Sequence, residues 1–189
     1  MEYFLELFLG GLTRGSIYAL IALGYTMVYG IIKLINFAHG EIYMIGAFTA
    51  LIISGVLATM GLPGWSILLM TLPIAVIYSS AYGFTIEKIA YRPLRGAPRL
   101  SPLISAIGMS IFLQNYVLLA QTADFLPFPA LLPELPFMEG YAGIMSSSEL
   151  FIVLTAAAVM AGLTAFIKFT RMGKAMRATS QNQRMAMLV

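Results

Sequence analysis

Five stretches of almost unbroken apolar residues, at 8–31, 37–58, 65–86, 102–121 and 150–169, alternate with polar connections along the chain. Each has close to the roughly 20 residues that a helix needs to cross the hydrocarbon core of a bilayer. Between the second and third stretches, Gly61-Leu62-Pro63-Gly64 reads as a tight turn, and Trp65 after it suits the membrane–water interface. Ser101-Pro102 reads as a helix cap followed by a first-turn proline, which predicts the start of the fourth helix. The predicted fold is all-α, a single polytopic transmembrane domain over residues 1–189 with about five membrane-spanning helices.

Composition agrees. Of the 189 residues, 60% are hydrophobic and 10% charged, against roughly 45–50% and about 25% in ordinary soluble domains. No water-soluble core of this size absorbs that excess, so lipid is the expected solvent. The absence of cysteine excludes disulfides, thiolate metal ligands and a cysteine nucleophile. Before the first apolar stretch stand Glu2 and Glu6 in place of the basic segment of a cleavable leader. That stretch is therefore expected to remain in the mature protein.

Charge sorts the connections by side. Residues 87–101 carry Lys88, Arg92, Arg95 and Arg99 against Glu87, and residues 168–184 carry Lys168, Arg171, Lys174, Arg177 and Arg184 with no acid. Residues 122–149 instead hold Asp124, Glu134, Glu139 and Glu149 and no base, with Pro127, Pro129, Pro133 and Pro136 opposing helix. Basic connections stay cytoplasmic. The expected arrangement is a cytoplasmic basic loop at 87–101, an outer loop at 122–149 and a cytoplasmic segment at 170–189. Arg92, Arg95 and Arg99 then set orientation and meet anionic lipid. Counting back places the N-terminus outside, unless the chain breaks near Asn36–Gly40. Arg14, inside the first stretch, is expected to snorkel to an interface.

Asn36-Phe37-Ala38-His39-Gly40-Glu41 is the most unusual stretch, holding the only histidine and a carboxylate where an apolar helix begins. Ionisable groups at membrane depth are costly and often mark a pathway. A helical wheel gathers Asn36, His39, Gly40, Tyr43, Gly46, Ala47 and Ala50 on one face and sends Glu41 towards Phe37, Ile45 and Phe48. Two readings stay open: pathway residues, or Asn36 as a helix cap with Glu41 favoured by the positive helix end. One histidine and one glutamate fall short of a metal site. Ser105 and Asn115, with Ser110 and Gln114 on a neighbouring stripe, either bond between helices or line a polar path. Asn36, His39, Glu41, Tyr43, Ser105 and Asn115 are thus the candidate pathway or gating residues. The Ala157, Ala161 and Ala165 stripe reads as packing.

Residues 173–184 form a polar segment expected to be helical, in which Gly173, Ala175 and Ala178 let another surface approach and Arg177 meets acidic groups. A solvated surface helix explains the same pattern. No phosphate loop, nucleophile elbow or zinc-protease motif is present in the sequence. No catalytic residue, cofactor, metal or nucleic-acid partner is expected, and any ATP must be hydrolysed by another chain.

Three stretches carry a family resemblance: Gly15-Ser16-Ile17-Tyr18-Ala19-Leu20 with Ile35-Asn36-Phe37-Ala38-His39-Gly40-Glu41-Ile42-Tyr43; Glu87-Lys88-Ile89-Ala90-Tyr91-Arg92-Pro93-Leu94-Arg95-Gly96 with Leu103-Ile104-Ser105-Ala106-Ile107-Gly108; and Thr170-Arg171-Met172-Gly173-Lys174-Ala175-Met176-Arg177-Ala178. Together they resemble the permease of a branched-chain amino acid ABC importer, in particular the leucine–isoleucine–valine permease that pairs with a second, different permease. The resemblance implies a multi-pass protein of the bacterial inner membrane, with two ABC ATPase subunits, a second permease subunit and a periplasmic binding protein as partners. It makes the segment at 170–189 the ATPase-coupling element, with Gly173, Ala175, Arg177 and Ala178 at the contact. Permeases of this family are longer, so the sequence is expected to be a C-terminally truncated form. Two other classes compete: a secondary transporter or channel with His39 and Glu41 as a proton or cation relay, and a structural membrane subunit of a larger enzyme complex.

Overall fold

The computed structural model describes residues 2–32, 35–94, 96–98, 100–122, 124, 126–129, 131–132 and 146–181. Among these the regular elements are helices: α1 (Glu2–Ile32), α2 (His39–Thr59), α3 (Gly64–Ile86), α4 (Leu100–Ala120), α5 (Ser147–Phe169) and the short α6 (Arg171–Gln181). Five of them, α1 to α5, are long and apolar enough to cross a membrane. All five predicted spans are present with ends shifted by a few residues. The largest shift is in α1, which begins at Glu2. The protein is therefore a multi-pass, all-α membrane protein.

Contacts divide the chain into two compact units, residues 34–132 and residues 1–33 with 133–189. The first unit packs α2, α3 and α4 around Ala38, Ile45, Ile86, Ala90, Tyr91, Ala106, Leu113 and Val117. Lipid is as apolar as these side chains, so close fit and interhelical hydrogen bonds must hold the helices together. Gly46 supplies such a fit: a methyl built on it would lie 2.6 Å from the Ser79 hydroxyl of α3. At the α2–α3 turn Gly61 takes φ of 71°, a left-handed conformation that glycine adopts without strain. Gly64 begins α3 with the Leu131 carbonyl against it, where no side chain fits, and Trp65 beside it is exposed.

Two connections differ from expectation. Of residues 87–101, predicted as a loop, 87–94 continue α3 as a π-helical turn (Glu87–Tyr91) and a 3-10 turn (Arg92–Leu94). A wider and then a tighter turn end the helix, and here Ala90 and Tyr91 enter the core while Ser105 of α4 donates to the Ala90 carbonyl at 3.2 Å. Arg92 lies in the 3-10 turn; Arg95 and Arg99 lie outside the described residues. Helix α4 starts at Leu100, so Ser101 falls in its first turn instead of capping it, and Pro102 is buried there. The predicted outer loop is shorter than 122–149, because a capping box starts α5 at Ser147: Ser146 accepts from the Ser148 amide, and Glu149 accepts from the Ser146 amide at 2.9 Å. Pro133, Glu134, Pro136 and Glu139 lie outside the described residues.

In the second unit α5 and α6 pack against α1. Helix α5 buries Ala156, whereas the predicted packing stripe of Ala157, Ala161 and Ala165 is exposed in the described chain. Arg14 is also exposed, twelve residues into α1.

Candidate polar cluster at the start of α2 and the α6 surface

Helix α2 begins with an unusual concentration of polar bonds. Asn36 Oδ1 accepts from the Ala38 amide at 3.0 Å and from the Tyr91 hydroxyl at 2.6 Å. Ala38 is the capping residue and has no side-chain oxygen, so Asn36 does not cap α2. It closes a turn before the helix and ties that turn to the end of α3. One helical turn on, Glu41 Oε1 accepts from the Ser110 hydroxyl at 2.9 Å and from Gln114 Nε2 at 2.7 Å. Ser110 is the eleventh of the 21 residues of α4, so α2 carries its carboxylate to half the length of a membrane-spanning helix. Acceptors of that kind inside a span demand donors from neighbouring helices, and α4 supplies two, spaced four residues apart on one face.

Helix α2 packs on two sides: Glu41, Ile42, Ile45 and Phe48 meet α4 and the core, and Gly46, on the face that the helical wheel singled out, meets Ser79 of α3. Gly40, Tyr43 and Ala47 are exposed. His39 occupies the first position of α2 and is half-buried. Ser105 bonds to the α3 extension, and Asn115 turns its amide back to the Ile111 carbonyl of its own helix at 2.8 Å. Of the predicted pathway residues, the structure joins Asn36 to Tyr91 and Glu41 to Ser110 and Gln114, and it places Tyr43 and Asn115 outside this cluster. The paired spacing of Ser110 and Gln114 was a sequence signal for a partner; nothing local pointed to Tyr91.

Beyond Gln114 a cavity of about 560 Å³ lies between α2 and α4, walled by Met44, Phe48, Leu51, Val117 and Leu118, with Asp124 at its rim. A second, of about 230 Å³, is lined by Tyr78, Tyr82 and Tyr116. The Tyr82 hydroxyl donates to Tyr116 at 3.3 Å and stands 3.5 Å from that of Tyr78.

Helix α6 is polar, as predicted. Arg171, Lys174, Ala175 and Ala178 share its exposed side, two cations followed by two small residues. Gly173 does not belong to that surface. It is buried against the backbone of Ile167, so its smallness serves internal packing. Arg177 is exposed, and its guanidinium donates to the Lys168 carbonyl at 3.3 Å. Residues 182–189, including Arg184, lie outside the described residues.

Residues 7–189 match the profile of the family described as branched-chain amino acid transport system / permease component. The chain is 48% identical to the high-affinity branched-chain amino acid transport system permease protein BraD of Pseudomonas aeruginosa, over 99% of this chain and 62% of that protein. It is 45% identical to LivH, the permease protein of the corresponding system in Escherichia coli, over the same shares, and likewise to LivH of Salmonella typhimurium. The chain thus spans 62% of the length of these relatives. No solved structure matches it. With a family profile matched over residues 7–189 and similarity along nearly the whole chain, the protein belongs to the permease-component family of branched-chain amino acid transport systems.

Proposed function

We propose that this chain is a translocation subunit of an ATP-driven importer of branched-chain amino acids in the bacterial inner membrane. The observation that carries the reading is the similarity of 99% of the chain to permease proteins of high-affinity branched-chain amino acid transport systems. In this reading the chain itself does no bond-breaking chemistry. Two ABC ATPase subunits supply the energy, a second permease completes the pathway, and a periplasmic binding protein delivers leucine, isoleucine or valine.

The charge pattern supports a cytoplasmic location for the α3–α4 connection and for α6, and an outer one for the α4–α5 connection. Lys88 and Lys168, each with its ammonium over a phenylalanine ring at 5.9 and 5.6 Å, suit the lipid boundary on the cytoplasmic side. Arg92, together with Arg95 and Arg99, would hold that orientation and meet anionic headgroups.

The exposed side of α6 would dock on an ATPase. Ala175 and Ala178 permit close approach, and Arg171 and Lys174 would pair with acidic side chains at the rim. This assignment replaces Gly173 and Arg177 with Arg171 and Lys174 in the contact. In the membrane, the Asn36–Tyr91 and Glu41–Ser110–Gln114 bonds would hold α2 in register with α3 and α4, so that a shift of one helix is felt by the others. Alternating access then follows from a population shift: nucleotide favours one arrangement only by binding it better.

The experiment is co-purification of the full-length permease with its partners in mild detergent, followed by cross-linking from Ala178→Cys. Capture of an ABC ATPase at that position supports the reading. Isolation of the permease alone, with no ATPase bound or cross-linked, contradicts it. The relay function for His39 and Glu41 is not adopted, because the relatives are named as permeases of transport systems and Glu41 is occupied by two donors from α4.

A further inference from the structure

The junction between α5 and α6 consists of one residue, Thr170. A single residue with free φ and ψ would leave α6 swinging on the end of the membrane span. Several contacts remove that freedom. The Thr170 hydroxyl donates to the Phe166 carbonyl at 2.6 Å and accepts from the Gly173 amide at 3.0 Å, so one side chain closes the end of α5 and opens α6. The Thr170 amide donates to Phe166 and its carbonyl accepts from Lys174, each at 3.1 Å. Arg177 reaches back to the Lys168 carbonyl. Met176, Arg177 and Ser180 close a cavity of about 120 Å³ with Thr26, Met27 and Gly30 of α1, so α6 leans on two spans at once.

Gly173 sets how tightly the elbow folds. A methyl built there would sit 2.6 Å from the Ile167 carbonyl carbon and nearer still to its oxygen. These are backbone atoms, so no rotamer change makes room, and any side chain would force α6 away from α5.

We propose that this junction is a locked elbow with Gly173 as its positioning residue, passing displacement of a partner docked on α6 directly to α5 and α1. The inference rests on the reading of α6 as the ATPase dock. A lever made of two helices transmits motion only if the joint between them is stiffer than the packing it must shift; loops that absorb φ and ψ changes act as hinges. Here the joint has no spare residue, and the hydroxyl that spans it is bonded on both sides.

The test uses the full-length permease assembled with its partners and reconstituted in lipid. With any cysteines of the full-length permease and its partners replaced, spin labels at Ala158→Cys and Gln181→Cys report the α5–α6 angle. The wild-type elbow gives one narrow distance distribution. Gly173→Ala broadens or shifts it and lowers amino acid uptake per ATP hydrolysed by roughly tenfold, a size usual for coupling between sites, while ATP hydrolysis continues. Thr170→Val, which introduces no overlap, gives the same effects in weaker form if Gly173→Ala fails to assemble. Thr170→Ser, keeping the hydroxyl, restores both readouts. An unchanged distance distribution and unchanged uptake per ATP in both Gly173→Ala and Thr170→Val overturn the elbow. A wild-type complex in which Ala178→Cys never cross-links to the ATPase overturns the docking reading instead.

Discussion

The Glu41 carboxylate accepts a 2.9 Å hydrogen bond from the Ser110 hydroxyl at the middle of α4. With Gln114 at 2.7 Å as a second donor, this bond fixes the register of α2 against α4. Interhelical hydrogen bonds in membranes are worth about 0.6 kcal/mol on average and up to roughly 1.7. A double-mutant cycle of Glu41→Ala and Ser110→Ala should therefore give a coupling energy of about 1 kcal/mol, measured by unfolding in mixed micelles. Strict additivity of the two substitutions would contradict the bond.

Tyr91→Phe removes the hydroxyl that Asn36 accepts and keeps the ring in the core. A loss of about 1 kcal/mol is expected, since the Asn36 oxygen still holds the Ala38 amide. Asn36→Ala should cost more, because it releases the turn before α2 and the Tyr91 hydroxyl together. Comparing the melting temperatures of the two variants checks the order.

Gly46 packs against the Ser79 side chain. The serine hydroxyl can rotate, so Gly46→Ala should be tolerated, whereas Gly46→Leu should separate α2 from α3 and destabilise by about 1–3 kcal/mol. Ser79→Gly should recover part of the loss. Equal stability of the leucine variant and the parent would show that the two helices do not meet here.

Thr71 is buried, and its hydroxyl has no hydrogen-bond partner among the described residues. Thr71→Val replaces that hydroxyl with a methyl of similar size, and stability should hold or rise, because an unsatisfied buried polar group is costly. A clear fall in melting temperature would reveal a partner for the hydroxyl elsewhere in the assembled protein.

The spans were legible because their signal is local: about 20 apolar residues in a row specify a membrane helix whatever surrounds it. The basic helix at Arg171–Gln181 was legible for the same reason. Helix faces were not. In α2 the wheel favoured the side with His39, Tyr43 and Ala47 because small and polar residues gather there; Gly46 of that side does pack on Ser79, yet Tyr43 and Ala47 are exposed while Glu41, Ile42 and Ile45 on another side are packed. In a span bounded by lipid both sides are apolar, so periodicity cannot choose the packed one. What chose it was the polar pair Ser110 and Gln114 on another helix, 69 and 73 residues away. Gly173 shows a related limit: smallness that faces a partner and smallness that admits one's own backbone look identical in sequence. The continuation of α3 through Leu94 was hidden by Pro93 and the surrounding charges, which read as loop.

Topology offers a direct check on orientation. Cysteines placed singly at Ala97 and Phe128 in intact cells should react differently with a membrane-impermeant maleimide: Phe128→Cys labels from outside, and Ala97→Cys only after the membrane is opened. The reverse pattern would invert the orientation and remove α6 from the cytoplasm.

The account's central claim is that the chain serves ATP-driven uptake of branched-chain amino acids. Its most direct test is uptake of radiolabelled leucine into proteoliposomes holding the full-length permease, the second permease, the ATPases and enclosed ATP, with binding protein outside. The account predicts uptake that requires ATP and binding protein and persists when a protonophore collapses the proton gradient. Uptake that proceeds without ATP and stops with the gradient would contradict it.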